Sequence, residues 1–298
     1  MAHAGVAASP GHFRNRIDAQ RFPTFHARVN CEPASSAKLI TLRAQLADHA
    51  PLIVAYSGGV DSAYLLAEAH RTLGARMLGV IADSASLPRQ ALADALALAR
   101  EIGAAVEVVR TTELDNPDYA SNPMNRCYFC KAELFTRLDA LAAERGFQAI
   151  AYGENADDMK QVRPGRQAAA EFSIIAPLRD AGLTKAEIRA LSRDLGLPTA
   201  DAPAQPCLSS RIPHGTPVTT EALATIERGE AFVRSLGFKV FRVRHIVGAE
   251  ETPRARVQIA PEEMDRVPAV ATALHDGLLA VGYAEVEIDP DGYRTAHL

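Results

Sequence analysis

One short segment, Ser57-Gly58-Gly59-Val60-Asp61-Ser62, constrains the fold of this chain more than any other. It follows residues 52–56, an apolar run without alternation, which is typical of a strand buried on both faces of a sheet. Residues 63–73 after it have helical spacing. Glycines let the backbone approach an anion closely, and the free N–H groups of a helix N-terminus attract negative charge. The segment therefore predicts a phosphate-binding loop between a parallel strand and a helix.

The loop differs from the Walker phosphate loop because it lacks the lysine of the G-x-x-x-x-G-K-[ST] pattern. It resembles instead the PP-loop of ATP pyrophosphatases, which cleave ATP to AMP and pyrophosphate. That resemblance implies that the loop binds ATP and that Asp61 is a ligand of Mg²⁺ on the departing pyrophosphate. The plain alternative is a Ser/Gly turn in which Asp61 is only a charge in the first turn of a helix.

The first two thirds of the chain alternate apolar runs with helical patterns. Such alternation predicts βαβ units, and hence an α/β fold with a parallel sheet and helices on both faces. The predicted strands are residues 52–56, 76–82, 105–109 and 148–152, and the predicted helices are residues 63–73, 89–102 and 130–145. Further along, residues 155–167 predict a loop, residues 174–178 a short strand, and residues 184–195 a helix that opens with a T-x-x-E capping box.

The pattern changes near residue 206, which predicts a second domain. We expect a disordered extension at 1–36, a PP-loop ATP pyrophosphatase domain at 37–206 and a small α+β domain at 207–298. The last has a helical pattern at 219–236 and alternating strands at 239–245, 255–259 and 284–288. Alternation indicates one wet face and antiparallel pairing, and Pro261 suits the first position of a further helix.

Composition excludes several classes of protein. Of the 298 residues 48% are hydrophobic and the net charge is −4, which is the makeup of a globular protein without a global attraction to nucleic acid. No apolar run reaches the roughly 18 residues that a membrane-spanning helix needs, and the first residues lack the apolar stretch of a signal peptide. We therefore expect a cytoplasmic protein with no membrane or nucleic-acid partner.

A second candidate segment, Gly153-Glu154-Asn155-Ala156-Asp157-Asp158, follows the fourth predicted strand. Ligands of open parallel sheets bind just outside the carboxyl ends of the strands. Gly153 and Asp157 are therefore expected to contact ATP, and Asp158 is expected to bind Mg²⁺ together with Asp61. The alternative is a solvated acidic loop.

Three cysteines form the next chemical signal, since Cys127 and Cys130 make a C-x-x-C pair and Cys207 lies further on. Arg126 beside the pair and a helix N-terminus both favour the thiolate. Three thiolates can hold a 4Fe–4S cluster with one open iron, and with His214 they could instead complete a Zn²⁺ site. Small buried hydrophobes or a dormant disulfide are the plainer alternatives.

Several of these segments together resemble the LarE family. They are residues 57–62, residues 153–158, Arg163-Pro164-Gly165, GLTKAEIR at 182–189 and PCLSSRIP at 206–213. The PP-loop is shared by many families, whereas the PCLSSRIP segment is much more specific. The resemblance extends over about residues 38–290. LarE proteins make pyridinium-3,5-bisthiocarboxylic acid mononucleotide, the sulfur-bearing precursor of the nickel-pincer nucleotide cofactor.

The resemblance implies an ATP-dependent sulfurtransferase. A substrate carboxylate attacks the α-phosphate of ATP, pyrophosphate leaves, and sulfur then displaces AMP from the acyl-adenylate. The sulfur comes either from a 4Fe–4S cluster held by Cys127, Cys130 and Cys207 or from Cys207 itself, and because all three positions are filled we favour the cluster. Cys207 and Glu230 are the expected catalytic residues.

The same resemblance implies that Arg163, Arg211, Arg242 and Arg244 bind the nucleotide substrate and that the chain forms a homo-oligomer. Without the resemblance, we would interpret Arg242 and Arg244 as residues on the solvated face of a strand and Glu230 as a residue on the solvated face of a helix. Arg163 would be an ordinary exposed loop residue.

Three other functions compete with this prediction. A tRNA thiolase also combines a PP-loop with a C-x-x-C pair, but it needs a basic surface, which a net charge of −4 does not favour. An amide-forming ligase such as an NAD or GMP synthetase needs ammonia, and no segment resembles a glutaminase. An AMP-binding regulatory module would bind nucleotide without releasing pyrophosphate.

Overall fold

The computed structural model describes residues 33–160, 164–248 and 252–293, so the predictions for residues 1–32 and for Arg163 lie outside the described residues. Residues Cys31–Leu298 group into one compact unit. Among the described residues, no helix is long and apolar enough to span a membrane. The helices are α1 (Pro33–Asp48), α2 (Val60–Leu73), α3 (Arg89–Ile102), α4 (Pro117–Ala120), α5 (Arg126–Arg145), α6 (Pro164–Glu171), α7 (Pro177–Asp180), α8 (Lys185–Asp194), α9 (Thr220–Ser235) and α10 (Val267–Val281). The strands are β1 (Leu52–Ala55), β2 (Met77–Asp83), β3 (Val106–Arg110), β4 (Ala149–Tyr152), β5 (Phe241–Val247), β6 (Pro253–Ile259) and β7 (Glu285–Ile288).

The first four strands form a parallel sheet in the order β3-β2-β1-β4. Every residue of the central strand β1 is buried, as its unbroken apolar sequence predicts. Leu52 and Val54 pack in a core with α1, α2, α3 and α8, whereas Ile53 and Ala55 pack in a second core with α5 and α6. The predicted α/β fold with helices on both faces is therefore confirmed.

The strand order reverses between β1 and β4. From β1 the chain continues through α2 on one face, and it reaches β4 through α5 on the opposite face. In open parallel sheets such a reversal opens a crevice at the carboxyl ends of the two strands, and ligands bind there. The segments that leave these two ends are residues 57–62 and 153–158, the same two that the sequence singles out.

Two predictions between β4 and α8 are wrong. Residues 155–167 are not one loop, because they contain a 3₁₀ helix and the start of α6. Residues 174–178 are not a strand, because only Ile175 bridges to Ala151 before α7 begins. A proline takes the first position of both α6 and α7, where its fixed φ favours a helix.

The last three strands form a separate sheet in the order β5-β6-β7. β5 runs antiparallel to β6 and buries alternate residues, as predicted. β7 runs parallel to β6, so the prediction of antiparallel pairing is wrong for this strand. The reason is α10, which lies between β6 and β7 and carries the chain back, as a parallel connection requires. Pro261 opens a 3₁₀ helix, and the α-helix starts only at Val267.

The loops that follow β1 and β4 lie in close contact at Gly153. A Cβ atom at this position would lie 2.8 Å from the backbone nitrogen of Ser62 and 3.0 Å from the carbonyl carbon of Asp61. Because backbone atoms cannot move aside as a flexible side chain can, we expect Gly153→Ala to lower the free energy of unfolding by about 1–3 kcal/mol.

Gly248→Ala is the matched control, since a Cβ atom there would meet nothing within 4 Å. Urea unfolding of the two variants and of the natural chain measures the effect. Equal losses in both variants would contradict close contact between the loops.

Candidate active site at the carboxyl edge of the parallel sheet

The loop after β1 is held in shape by its own serines. The backbone N–H of Ser57 donates to Ser62 Oγ at 3.2 Å, the two serine hydroxyls are 3.0 Å apart, and Ser62 Oγ donates to Gly59 O at 3.1 Å. Gly58 has a φ of 76°, in the left-handed region that favours glycine, and a Cβ atom there would lie 2.7 Å from Cβ of Ala95. The backbone conformation of the turn and its close packing against Ala95 therefore require glycine at position 58.

The N-terminus of α2 faces this loop and suits an anion. Gly59 is the N-cap residue and has no side chain that could satisfy the first N–H groups of the helix. Ser57 and Gly59 are exposed, while Val60 is buried and anchors the helix. An anion can therefore reach the N–H groups and the positive end of the helix dipole.

Asp61 presents its two carboxylate oxygens to different surroundings. Oδ2 accepts hydrogen bonds from Nζ of Lys185 at 2.8 Å and from Nδ2 of Asn155 at 3.4 Å. Oδ1 is buried and has no hydrogen-bond partner among the described residues. A carboxylate oxygen without a donor is the kind of ligand that Mg²⁺ prefers, so the predicted role of Asp61 fits the chemistry of this position.

Asp157 and Asp158 shape the acidic turn after β4. Asp157 accepts hydrogen bonds from the backbone N–H of Lys185 at 2.9 Å and from Nζ of Lys160 at 3.0 Å. The bond from Lys185 and then that from Lys160 hold the pKa of Asp157 below its ordinary value. Asp158 is buried and accepts from the backbone N–H of Asn155 at 3.2 Å. Both carboxylates thus make contacts that fix the turn beside Asp61.

Glu154 is a site residue that sequence reasoning missed. It is buried and accepts hydrogen bonds from the Tyr152 hydroxyl at 2.6 Å, from Nε of Arg166 at 2.8 Å and from Nη1 of Arg179 at 2.8 Å. Burial raises the pKa of Glu154, but the hydrogen bonds and the two guanidinium groups outweigh burial and lower it. The only sequence signal was its place next to Gly153, since nothing in the spacing pairs it with arginines on α6 and α7.

Cys127 and Cys130 lie in the first turn of α5, and Cys207 directly precedes a 3₁₀ turn at Leu208–Arg211. Two hydrogen bonds brace this turn against the sheet edge and against α5. The backbone N–H of Leu208 donates to the carbonyl of Ser86 at 2.8 Å, and Nη1 of Arg126 donates to the carbonyl of Ser209 at 3.0 Å. The structure thus brings the Cys207 segment to the start of the helix that carries the C-x-x-C pair.

The surroundings of Cys130 disfavour its thiolate. Burial raises the pKa of the Cys130 thiol, and the nearby Glu113, Cys207 and Cys127 raise it further, against a smaller lowering by Arg126. Arg126 lowers the pKa of Cys130, in the direction predicted, but burial and the nearby acidic groups outweigh this one guanidinium. Cys130 also packs against the apolar cluster that contains Leu208, the residue after Cys207.

No group of three or more His, Cys, Asp and Glu side chains is arranged to hold a metal ion in the described parts of the chain. His214, the candidate fourth ligand for zinc, is exposed, and its Nδ1 lies 3.4 Å from the carbonyl of Asn122. The donor type itself, a set of three cysteines, has the chemistry of an iron–sulfur ligand set. The described cysteines therefore offer suitable ligand atoms but are not arranged as a metal site.

Arg211 and Glu230 form a buried ion pair with two parallel bonds. Nε and Nη2 of Arg211 donate to the two oxygens of Glu230 at 2.7 and 3.0 Å. Nη1 of Arg211 also donates to the carbonyls of Pro206 at 2.6 Å and of Cys207 at 3.1 Å. Glu230 in turn accepts the backbone N–H of Val243 at 3.2 Å. The pair therefore ties the Cys207 segment to α9 and β5.

Arg242 and Arg244 lie on one face of β5, as their spacing predicts. Arg242 donates to the Tyr293 hydroxyl at 2.6 Å, and its guanidinium carbon lies 4.6 Å from the centroid of that ring. Arg244 donates to Oε1 of Gln258 and to the carbonyl of Ser210, both at 2.8 Å. Burial first, and then neighbouring arginines, lower the pKa of both guanidinium groups. Neither forms an ion pair with a carboxylate in the part of the chain that the structure describes, so both suit an anionic ligand.

The buried pair yields a stability prediction. Removing one partner leaves the other charge buried and uncompensated, so we expect Arg211→Leu and Glu230→Leu each to lower the free energy of unfolding by about 3–5 kcal/mol. The double variant should lose much less than the sum, because no unpaired charge remains.

Urea unfolding of the four chains measures this cycle. Arg193→Leu is the control, because its ion pair with Asp201 is exposed, with 52% and 75% of the two side chains accessible, and should contribute less than about 1 kcal/mol. Additive losses at Arg211 and Glu230 would contradict a coupled pair.

Comparison with known proteins shows the family of this chain. No protein-family model matches the chain. The chain is 40% identical over 264 residues to an uncharacterized protein of Synechocystis, covering 88% of this chain and 97% of that protein. It is 28% identical over 213 residues to an uncharacterized protein of Methanocaldococcus jannaschii, covering 70% and 80% of the two. It is also 32% identical over 266 residues to the pyridinium-3,5-bisthiocarboxylic acid mononucleotide synthase of Lactiplantibacillus plantarum, a LarE protein, covering 88% and 94%. With that identity over nearly the whole of both chains, this protein belongs to the LarE family.

Proposed function

We propose that this chain is an ATP-dependent sulfurtransferase that converts a carboxylate of a pyridinium carboxylate mononucleotide into a thiocarboxylate, with release of AMP and pyrophosphate. The observation that carries the proposal is the convergence of an open phosphate loop, an orphaned Asp61 oxygen and the acidic turn after β4 at one edge of the sheet. Kinship with a LarE synthase supports the choice of substrate.

The first step is adenylation. An oxygen of the substrate carboxylate attacks the α-phosphorus of ATP, the bond from that phosphorus to the bridging oxygen breaks, and pyrophosphate leaves. The N–H groups at the start of α2 and the hydroxyls of Ser57 and Ser62 are suited to bind the departing phosphates. Asp61, with Asp158 beside it, would hold Mg²⁺, which supplies positive charge for the leaving group when bound.

Arg242 and Arg244 are suited to hold the anionic groups of the substrate. They are partly buried, and their hydrogen-bond partners among the described residues are neutral. A phosphate or a free carboxylate would supply the missing negative charge through paired hydrogen bonds. Because Arg244 also donates to the carbonyl of Ser210, bound substrate would lie near the Cys207 segment.

The second step is sulfur transfer. A sulfur nucleophile attacks the carboxyl carbon of the acyl-adenylate, the bond to the phosphate oxygen breaks, and AMP leaves. The backbone N–H of Leu208, the residue after Cys207, donates to the carbonyl of Ser86. Ser86 follows the carboxyl end of β2, and β2 is the neighbour of β1 in the sheet. Cys207 therefore lies at the same edge of the sheet as the phosphate loop. A 4Fe–4S cluster held by Cys127, Cys130 and Cys207 would supply sulfide from an open iron, and Cys207 itself is the alternative donor.

Arg211 and Glu230 act in this proposal as positioning residues. Glu230 holds the Arg211 guanidinium, whose Nη1 donates to the carbonyls of Pro206 and Cys207 and so fixes the backbone that carries Cys207. The proposal of a homo-oligomer rests on the family resemblance alone. The net charge of −4 does not favour tRNA as the substrate, because binding of nucleic acid depends on positive charge.

The nucleotide chemistry gives the next prediction. Incubation with ATP, Mg²⁺ and the pyridinium dicarboxylate mononucleotide should release AMP and pyrophosphate, measured by ion-exchange chromatography. Asp61→Asn should slow this release by roughly 100-fold or more, because it weakens metal binding beside the leaving group.

Asp201→Asn is the control, since that carboxylate is 75% exposed. Release of ADP and phosphate in place of AMP and pyrophosphate would refute the assignment.

The source of sulfur gives a further prediction. If the three cysteines hold a cluster, each of Cys127→Ala, Cys130→Ala and Cys207→Ala should abolish iron binding and sulfur transfer in anaerobically purified protein, while adenylation persists. If Cys207 is consumed instead, only Cys207→Ala stops transfer, and the mass of each chain falls by about 34 Da as the sulfur leaves with the product. Intact-mass spectrometry after one reaction separates the two, and a Cys207 converted to dehydroalanine with the other two cysteines dispensable would overturn the cluster.

A further inference from the structure

The phosphate loop has no lysine of its own, yet the structure brings one to it. Nζ of Lys185 lies 2.8 Å from Oδ2 of Asp61, although the two residues are 124 positions apart in the chain. Lys185 is the first residue of α8, which packs against α2. The ammonium group therefore stands at the N-terminus of the helix that the loop opens.

Three contacts hold the start of α8 in this position, and Glu187 takes part in two of them. Thr184 and Glu187 form a complete capping box around the first turn. Lys38 of α1 pairs with Glu187 at 2.7 Å. Asp157, from the acidic turn, accepts the backbone N–H of Lys185 at 2.9 Å. The backbone of Lys185 is thus fixed, while its flexible side chain is 38% exposed and can change partner.

The charges around Asp61 favour such a change. The Lys185 ammonium has three protons, and the described residues provide it with one carboxylate oxygen, Oδ2 of Asp61. The ion pair is partly exposed on the lysine side and is joined by one hydrogen bond, so water screens it and the ammonium can exchange it for a stronger anion. The β- and γ-phosphates of ATP carry several negative charges and would lie at the loop beside this ion pair.

We propose that Lys185 is the phosphate-binding lysine of this loop, and that it selects nucleotides that carry a pyrophosphate group over nucleoside monophosphates. The inference rests on the proposed ATP site. When ATP binds, the ammonium passes from Asp61 to the β- and γ-phosphates, which leaves both Asp61 oxygens available to Mg²⁺. When pyrophosphate departs, Lys185 returns to Asp61, which weakens the hold of the site on Mg²⁺.

The test is nucleotide binding without metal and without turnover. The full chain is titrated calorimetrically with ATP, pyrophosphate and AMP in a buffer that contains EDTA. We expect Lys185→Gln to weaken binding of ATP and of pyrophosphate by roughly 10- to 100-fold, the effect of losing a charged hydrogen bond, and to change AMP binding by less than about 2-fold. Lys185→Arg keeps the charge and should recover part of the loss.

Arg193→Gln is the matched control, because it removes an exposed ion pair from the last turn of the same helix, away from the loop. It should leave the binding of all three ligands unchanged. Equal weakening of ATP and AMP by Lys185→Gln, or no weakening of ATP, would overturn the role of Lys185 while the ATP site stands. A natural chain that binds neither ATP nor AMP, with or without added Mg²⁺, would refute the proposed function itself.

Discussion

Parallel pairing of β1 with β4 positions the candidate nucleotide site. Ala55 and Tyr152, the last residues of these strands, lie in register, so the loops that follow leave the sheet side by side. Gly153 places no side chain between them, and its Cα comes close to the backbone of Ser62. The phosphate loop, the start of α2 and the acidic turn therefore meet because two strands that are far apart in the sequence are neighbours in the sheet.

Two ion pairs at this edge have opposite physical characters. The pair of Arg211 and Glu230 is almost fully buried, doubly hydrogen-bonded and costly to break, so it serves as a fixed anchor for the Cys207 segment. The pair of Lys185 and Asp61 is partly exposed and joined by one hydrogen bond, so it can be exchanged for a ligand at little cost. Burial thus separates a fixed pair from an exchangeable one, and in the proposed function it is the exchangeable pair that meets the nucleotide.

Many of the candidate site residues could be predicted from the local sequence, but the residues that they contact could not. The loop at residues 57–62 was predicted correctly as a turn from a buried strand into a helix, because glycine and apolar patterns act over a few residues. Glu154 was not predicted, since its two arginine partners lie on α6 and α7. The balance at Cys130 was not predictable for the same reason, because burial and Cys207 from a distant segment raise its pKa more than the neighbouring Arg126 lowers it.

Short-range patterns were sufficient to predict the α/β class, the strand–loop–helix unit at the phosphate loop and the capping box at Thr184, since each depends on residues within a turn or two. The parallel direction of β7 against β6 and the contact of Lys185 with Asp61 became apparent only in the folded chain. Strand direction depends on where a connecting helix crosses the sheet, and ion pairs depend on which elements pack together. Both are properties of the whole packed chain, which short-range patterns do not encode.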